Sequence, residues 1–179
     1  MAATLWQRFY SNMGLSYGIP TELLDQWNEA DHTAYVDDDG KPLPAPAAVR
    51  AANRNRAVAR AIEQADKLNK RVKVVVSDPY RVVTGAGSQN NDHVQSLGRY
   101  SMAAATAVIA SPGPVGKHPI QLAQQAHIQD GYDFKRDNPG ADPQADAAAE
   151  VAVDAFELGI AKWFFIYGSG SQIFWEGLR

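Results

Sequence analysis

Apolar residues recur along this chain with more than one period, and each period predicts an element. Between Ala47 and Lys70, Val58, Ala61, Ile62, Ala65 and Leu68 return at intervals of three and four. That spacing lines one face of an α-helix. The next run, RVKVVV (71–76), is β-branched and fits a short strand buried on at least one face. SMAAATAVIA (101–110) reads both ways, since its alanines favour helix and TAVIA favours strand. PIQLAQQAHI (119–128) reads as a short helix with Pro119 in its first turn, where a missing N–H costs little.

Further along, Asp142 before Pro143 is a helix-start signal. Glu150, Asp154 and Glu157 then mark a wet face, with Ala148, Val151, Ala152, Ala155, Phe156 and Leu158 as the buried one and Gly159 near the helix end. KWFFIY and QIFW, joined by GSGS, read as two strands of a hairpin. The first 46 residues differ from the rest: Trp6, Phe9, Tyr10, Tyr17 and Trp27 are dispersed among acids, and PLPAP closes the segment. Within it, Thr21 is placed to cap a helix over TELLDQWNEA, and VDDDGK is a turn that lacks the Glu of a calcium loop. The expected fold is α+β: a small antiparallel sheet, a long helix before the first strand, a long helix before a C-terminal hairpin, and an N-terminal arm. The expected division is 1–46 as arm or subdomain and 47–179 as the main domain.

Composition narrows the functions. A chain of 179 residues with 45% hydrophobic and 21% charged residues can bury a core without staples. The absence of cysteine excludes disulfides, thiolate catalysis and Cys-ligated zinc. A net charge of -3 gives no global pull toward nucleic acid. No signal peptide and no membrane-spanning run are legible, so the expected location is a virion or the cytoplasm. Charge is uneven, however. The first forty residues are acidic, whereas Arg50, Arg54, Arg56, Arg60, Lys67, Lys70 and Arg71 make the following helix basic. That contrast fits either a solvated helix face or docking of an acidic arm on a neighbour's helix.

Candidate chemistry concentrates in SDPYRVVTGAGSQNNDHVQSLGRYS (77–101), which has the composition of an active-site rim. Of the four histidines, His32, His93, His118 and His127, only His93 has a rich polar setting, and zinc needs three or four converging ligands. His118 and His127 read as surface or loop residues. TGAGS could cradle an anion but lacks the Lys-Ser/Thr of a P-loop. YGSGSQ is no nucleophile elbow, because another apolar strand follows it. Asp137, Asn138, Asp142 and Asp146 could hold a cation, though turns and capping also explain them, and Asp130 and Asp133 are not singled out.

Taken in order, ADKLNKRVKVVVSDPYR, GSQNNDHVQSLGRYSMA and FELGIAKWFFIYGSGSQIFWEGLR resemble the layout of the zinc D-Ala-D-Ala carboxypeptidase family (Hedgehog/DD-peptidase fold) over residues 47–179. Ser77, Tyr80 and Arg81 match the first strand's motif, and His93 with Gly98 and Arg99 matches the first ligand motif, with two residues inserted. The family's Asp ligand falls among Met102, Ala103 and Ala104, and its last histidine on Phe174 or Trp175. The resemblance therefore implies a peptidase-like scaffold with at most one of three zinc ligands. The expected function is a non-catalytic structural or binding protein in a larger assembly such as a phage virion. Arg81, Asp92, His93 and Arg99 would be remnants of a site, and Trp6, Phe9, Tyr10, Tyr17 and Trp27 would form the interface. The expected partners are proteins, including further copies of the chain, with no membrane and no cofactor. The alternative is a metal-dependent peptidoglycan peptidase or toxin with altered ligands, in which His93 binds zinc.

Overall fold

The computed structural model describes residues 2–11, 14–29, 35–36, 41–84, 99–132 and 143–179. Its longest helix begins where proline permits it. Pro46 opens α3 (Pro46–Leu68) after extended Ala45, and Asn69 ends it in a left-handed turn at φ 47°. The Asn69 N–H donates to the carbonyls of Ala65 and Asp66. The buried face runs Pro46, Val49, Asn53, Ala57, Ala61, Ala65. Three successive alanines at i, i+4 spacing remove bulk from that face and let the helix lie close to a sheet.

The sheet that receives α3 is built on two long strands, β6 (Arg99–Ala110) and β7 (Pro119–Tyr132), paired antiparallel. On the far side of β6 lie β4 (Val72–Ser77) and β5 (Arg81–Thr84), which pair with successive halves of it. On the far side of β7 lie β9 (Ile173–Leu178) and β8 (Phe164–Ser169), again end to end. The two-residue β1 (Tyr17–Gly18) runs parallel to β8 at the edge. The remaining described elements are α1 (Ala2–Tyr10), α2 (Thr21–Glu29), α4 (Pro143–Glu157) and a small separate ladder of β2 (Tyr35–Val36) with β3 (Pro42–Leu43).

This corrects several expectations. The fold is α+β, but the sheet has seven strands and is mixed, not small and antiparallel. PIQLAQQAHI is strand, not helix, and SMAAATAVIA is strand as well. Both sit between two neighbours, and that pairing overrides the helical preference of their alanines and glutamines. KWFFIY and QIFW do not pair with each other; each pairs with β7, so there is no terminal hairpin. Among the described side chains of α4 the buried ones are Ala152, Val153 and Ala155, whereas Val151 and Phe156, and Leu158 just past the helix, are exposed; the side chain of Ala148 lies outside the described set. Leu68, assigned to the buried stripe of α3, is also exposed. Thr21 is the first residue of α2 rather than its cap; Pro20 before it holds the cap position, its carbonyl accepting from the Leu24 N–H.

Register sorts the sheet into two faces. One carries Val74, Val76, Val108, Ala110, Ile120 and Leu122, which pack on Ala57, Ala61 and Ala65 of α3. Farther along the same face, Val83, Tyr100, Met102, Ile128, Phe164 and Ile166 pack on Leu5 and Phe9 of α1, Leu24 of α2, and Ala152 and Ala155 of α4. All four helices thus contribute to this inner face. Arg8 adds ties at the edge, donating to the Leu15 and Ser16 carbonyls while lying over the rings of Tyr17 and Phe164. Among the described residues no helix is long and apolar enough to cross a membrane.

Tyr100 is 1% exposed within this core. Burial pushes its phenol well above the ordinary value, and the nearby charge of Arg50 opposes that shift only in part. The folded chain therefore holds the Tyr100 proton more tightly than the unfolded one. The resulting stability is complete below the unfolded phenol's pKa of 10.0 and falls as pH rises above it. Tyr100→Phe is expected to flatten the decline of unfolding free energy between pH 10 and 12 by up to about 1.4 kcal/mol per pH unit. Urea titrations of both proteins at stepped alkaline pH measure the difference.

Candidate functional site

The opposite face of the sheet is the candidate site. Because side chains alternate along a strand, the residues between those of the core point away from the helices. Reading across the four columns of strands gives a series of rows. One is Lys73, Ile109, Gln121, Glu176; the next is Val75, Ala107, Ala123, Phe174. Toward the other end comes Val82, Ser101, Gln129, Tyr167, with Phe165 beyond Tyr167 on β8. Val75 is 62% exposed, Phe174 72%, Phe165 57% and Tyr167 55%. Neither hydrophobic core cluster among the described residues includes a member of this outer face.

Its relief follows from residue size. Ala103, Ala105, Ala107 and Ala123 make a low central floor, flanked on one side by Phe165, Tyr167 and Phe174 and on the other by Val75 and Val82. Three of the polar residues on the face are already engaged inside the chain. Gln125 Nε2 donates to the Gly170 carbonyl at 3.0 Å, His127 Nδ1 lies 2.8 Å from Ser169 Oγ, and Arg71 donates to Gln121 Oε1 at 3.0 Å. Such groups can be covered without stranding a donor or acceptor. At one end of the face, Arg71, Ile109, Ser111, Gln121, Glu176 and Leu178 border a shallow cavity of about 330 Å³.

Beneath the face, a buried polar chain ties the sheet to α3. Gln124 Nε2 donates to Thr106 Oγ1 at 2.8 Å and to the Arg50 carbonyl at 2.9 Å. Thr106 Oγ1 in turn donates to Asn53 Oδ1 at 2.5 Å, and Asn53 Nδ2 reaches the Val76 carbonyl at 3.3 Å. At the sheet's end, His118 is buried. Its Nε2 is 3.0 Å from both Asp66 carboxylate oxygens, and its Nδ1 is 3.2 Å from the Arg179 main-chain oxygen. Reciprocal backbone bonds between His118 and Arg179 extend the β7–β9 ladder. His118 thus fastens helix, β7 and β9 together. The sequence reading of a surface or loop residue holds for the loop, just before β7, but not for the surface, because Asp66 lies 52 positions away and no local signal announces the contact.

The sequence-derived site residues are only partly brought into view. Arg81 opens β5 and is exposed, and Arg99 opens β6 with its side chain outside the described residues. Asp92 and His93, with most of the TGAGS loop, lie outside the described residues, as do His32, Asp133, Asp137, Asn138 and Asp142. Among the described residues no three His, Asp or Glu side chains converge as a metal would require. Of the aromatic set, Phe9 is buried in the chain's own core, and Trp6 and Tyr17 pack against that core. Tyr10 is 40% exposed, stacked on Trp6, while Trp27 lies on α2 with its side chain outside the described set. Burial against a neighbour therefore suits Tyr10 and not Phe9. Arg56 of the basic helix pairs with Asp78, just past β4. Compared with known proteins, the chain matches no family model, no curated protein and no solved structure.

Proposed function

We propose that this chain is a non-catalytic structural or binding protein, on a degenerate DD-peptidase-like scaffold, that works inside a larger assembly. The observation that carries the reading is the outer face of the sheet. Isolated exposed apolar residues are common on soluble proteins, but several exposed apolar and aromatic side chains gathered on one sheet face mark a docking surface. Here Val75, Val82, Phe165, Tyr167, Phe174 and Leu178 are exposed on one face around the outward alanines, with Gln125 and His127 among them already bonded. Aromatics at such a surface contribute large contact area at low entropic cost.

Light scattering on the purified chain and on the Val75→Asp, Phe174→Asp double variant tests the role of the face. The wild type is expected to associate, and the double variant to lose that association with its melting temperature changed by under about 2 °C, because both residues are exposed. Elemental analysis tests the non-catalytic half and is expected to find far less than one zinc per chain. One zinc per chain, lost in His93→Ala and accompanied by hydrolysis of a peptidoglycan peptide, would replace the reading with that of a metallopeptidase.

A further inference from the structure

Each row of the outer face has unlike ends, and the ends complement one another. On the β4/β5 side stand Lys73, Val75 and Val82; on the β9/β8 side of the same rows stand Glu176, Phe174 and Tyr167. A cation at one edge thus answers an anion at the other, and small aliphatic residues answer aromatic rings. Lys73 and Glu176 are exposed, and neither has an ion-pair partner among the described residues.

Resting on the binding role proposed above, we infer that the face is covered by a second copy of the chain, across a two-fold axis parallel to the strands and between β6 and β7. That rotation keeps every row at its level and exchanges its ends. Lys73 of each copy comes over Glu176 of the other, Val75 over Phe174, and Val82 over Tyr167. In the middle, Ala107 comes over Ala123, Ala105 over Gln125 and Ala103 over His127, so one member of each central pair is an alanine whose size lets the aromatic flanks close. The alternative two-fold, across the strands, brings Lys73 over the Val82 row and Glu176 over the Tyr167 row, leaving both charges unanswered. Only the first is self-complementary in charge and shape, as a two-fold interface must be.

The area is sufficient. Four columns of strands about 4.8 Å apart and a dozen residues long at about 3.3 Å each span roughly 700 Å². A stable interface of ordinary size covers about 800 Å² per partner. The twist of each sheet sets the two stacks of strands at about 30° to one another, so in the end row Lys73 and Glu176 meet through the reach of their long side chains rather than in strict register.

Sedimentation equilibrium of the full chain, its charge variants and the Val75→Asp, Phe174→Asp double variant tests the inference. The wild type is expected at twice 19.4 kDa. Lys73→Glu and Glu176→Lys are each expected to weaken the dimer about tenfold, since each reversal sets two like-charge contacts across the axis. The combined Lys73→Glu, Glu176→Lys chain is expected to recover to within about threefold of wild type, a rescue that general stickiness does not produce. A dimer indifferent to every charge variant overturns this two-fold. If Val75→Asp, Phe174→Asp still abolishes that dimer, the binding role of the face stands without it. A chain of single-copy mass at all concentrations overturns self-association. In that case, binding of a hydrophobic dye that is lost in Val75→Asp, Phe174→Asp keeps the face as a site for another protein, and absence of dye binding removes both readings.

Discussion

Phe9→Ala is expected to reduce the free energy of unfolding by about 3–5 kcal/mol, the usual cost of emptying a buried aromatic site. Phe9 is 1% exposed and shares a core with Leu5, Leu24, Tyr100, Ile128 and Phe164. Its carbonyl also accepts from the Lys162 N–H at 3.1 Å, just before β8 begins. A helix of nine residues does not persist in water by itself, so α1 exists because this packing holds it. For a domain of this size the melting temperature should fall by roughly 10 °C. Tyr10→Ala, one residue on and 40% exposed, should cost under about 1 kcal/mol. Urea unfolding followed by circular dichroism measures both. A Phe9→Ala chain within about 0.5 kcal/mol of wild type would mean that the first helix is peripheral.

The same packing bears on the arm. Leu5, Phe9, Ile19 and Leu24 lie in one core cluster with residues of the sheet, and Asp25 Oδ1 accepts from the Ser171 N–H at 2.7 Å. Removing residues 1–40 strips one end of the inner face of its cover. Loss of cooperative unfolding is the expected result, rather than a folded remainder. In the sequence, aromatic dispersion and the PLPAP link pointed to a tether. The competing signal was the amphipathic spacing of Leu5 and Phe9, four apart, too short a pattern to weigh against composition.

Legibility elsewhere followed the strength of the local pattern. The first strand's β-branched run, the proline-started helix of residues 143–157 and the long α3 were readable because each carries its own periodicity or boundary residue. The two central strands were not. β6 has alanine on both faces, at Ala103, Ala105 and Ala107 outward and Ala104 and Ala110 inward, so alternation is invisible. β7 alternates, but one inward position is Gln124, which breaks the apolar series that would have revealed it. Its outward glutamines then made the segment look like an amphipathic helix. The outer face was illegible for the same reason: a site made of rows across strands needs register, and register is a property of pairing rather than of any one segment.

Gln124 also marks where the second large effect is expected. Asn53, Thr106 and Gln124 form a chain of donors and acceptors with almost no access to water, and each link depends on the next. Thr106 is the centre, giving its proton to Asn53 Oδ1 and receiving from Gln124 Nε2. Thr106→Val keeps the volume but strands both partners, and is expected to cost about 2–4 kcal/mol. Asn53→Ala also leaves the Val76 carbonyl without that donor and should cost a similar amount. The double variant should then cost less than the sum by about 1–2 kcal/mol, because the second change removes a group the first had already stranded. Strict additivity of the two in urea unfolding would show that the chain of bonds carries no coupling. Replacing all three by apolar residues of like size should recover most of the stability, since a fully apolar interior has nothing to strand. What it should lose is placement. The alanine face of α3 would fit the sheet almost equally well one turn displaced, and the three polar side chains supply the direction that alanines lack. Hydrogen exchange on β4 and β6 reads that loss as weakened protection at unchanged overall stability.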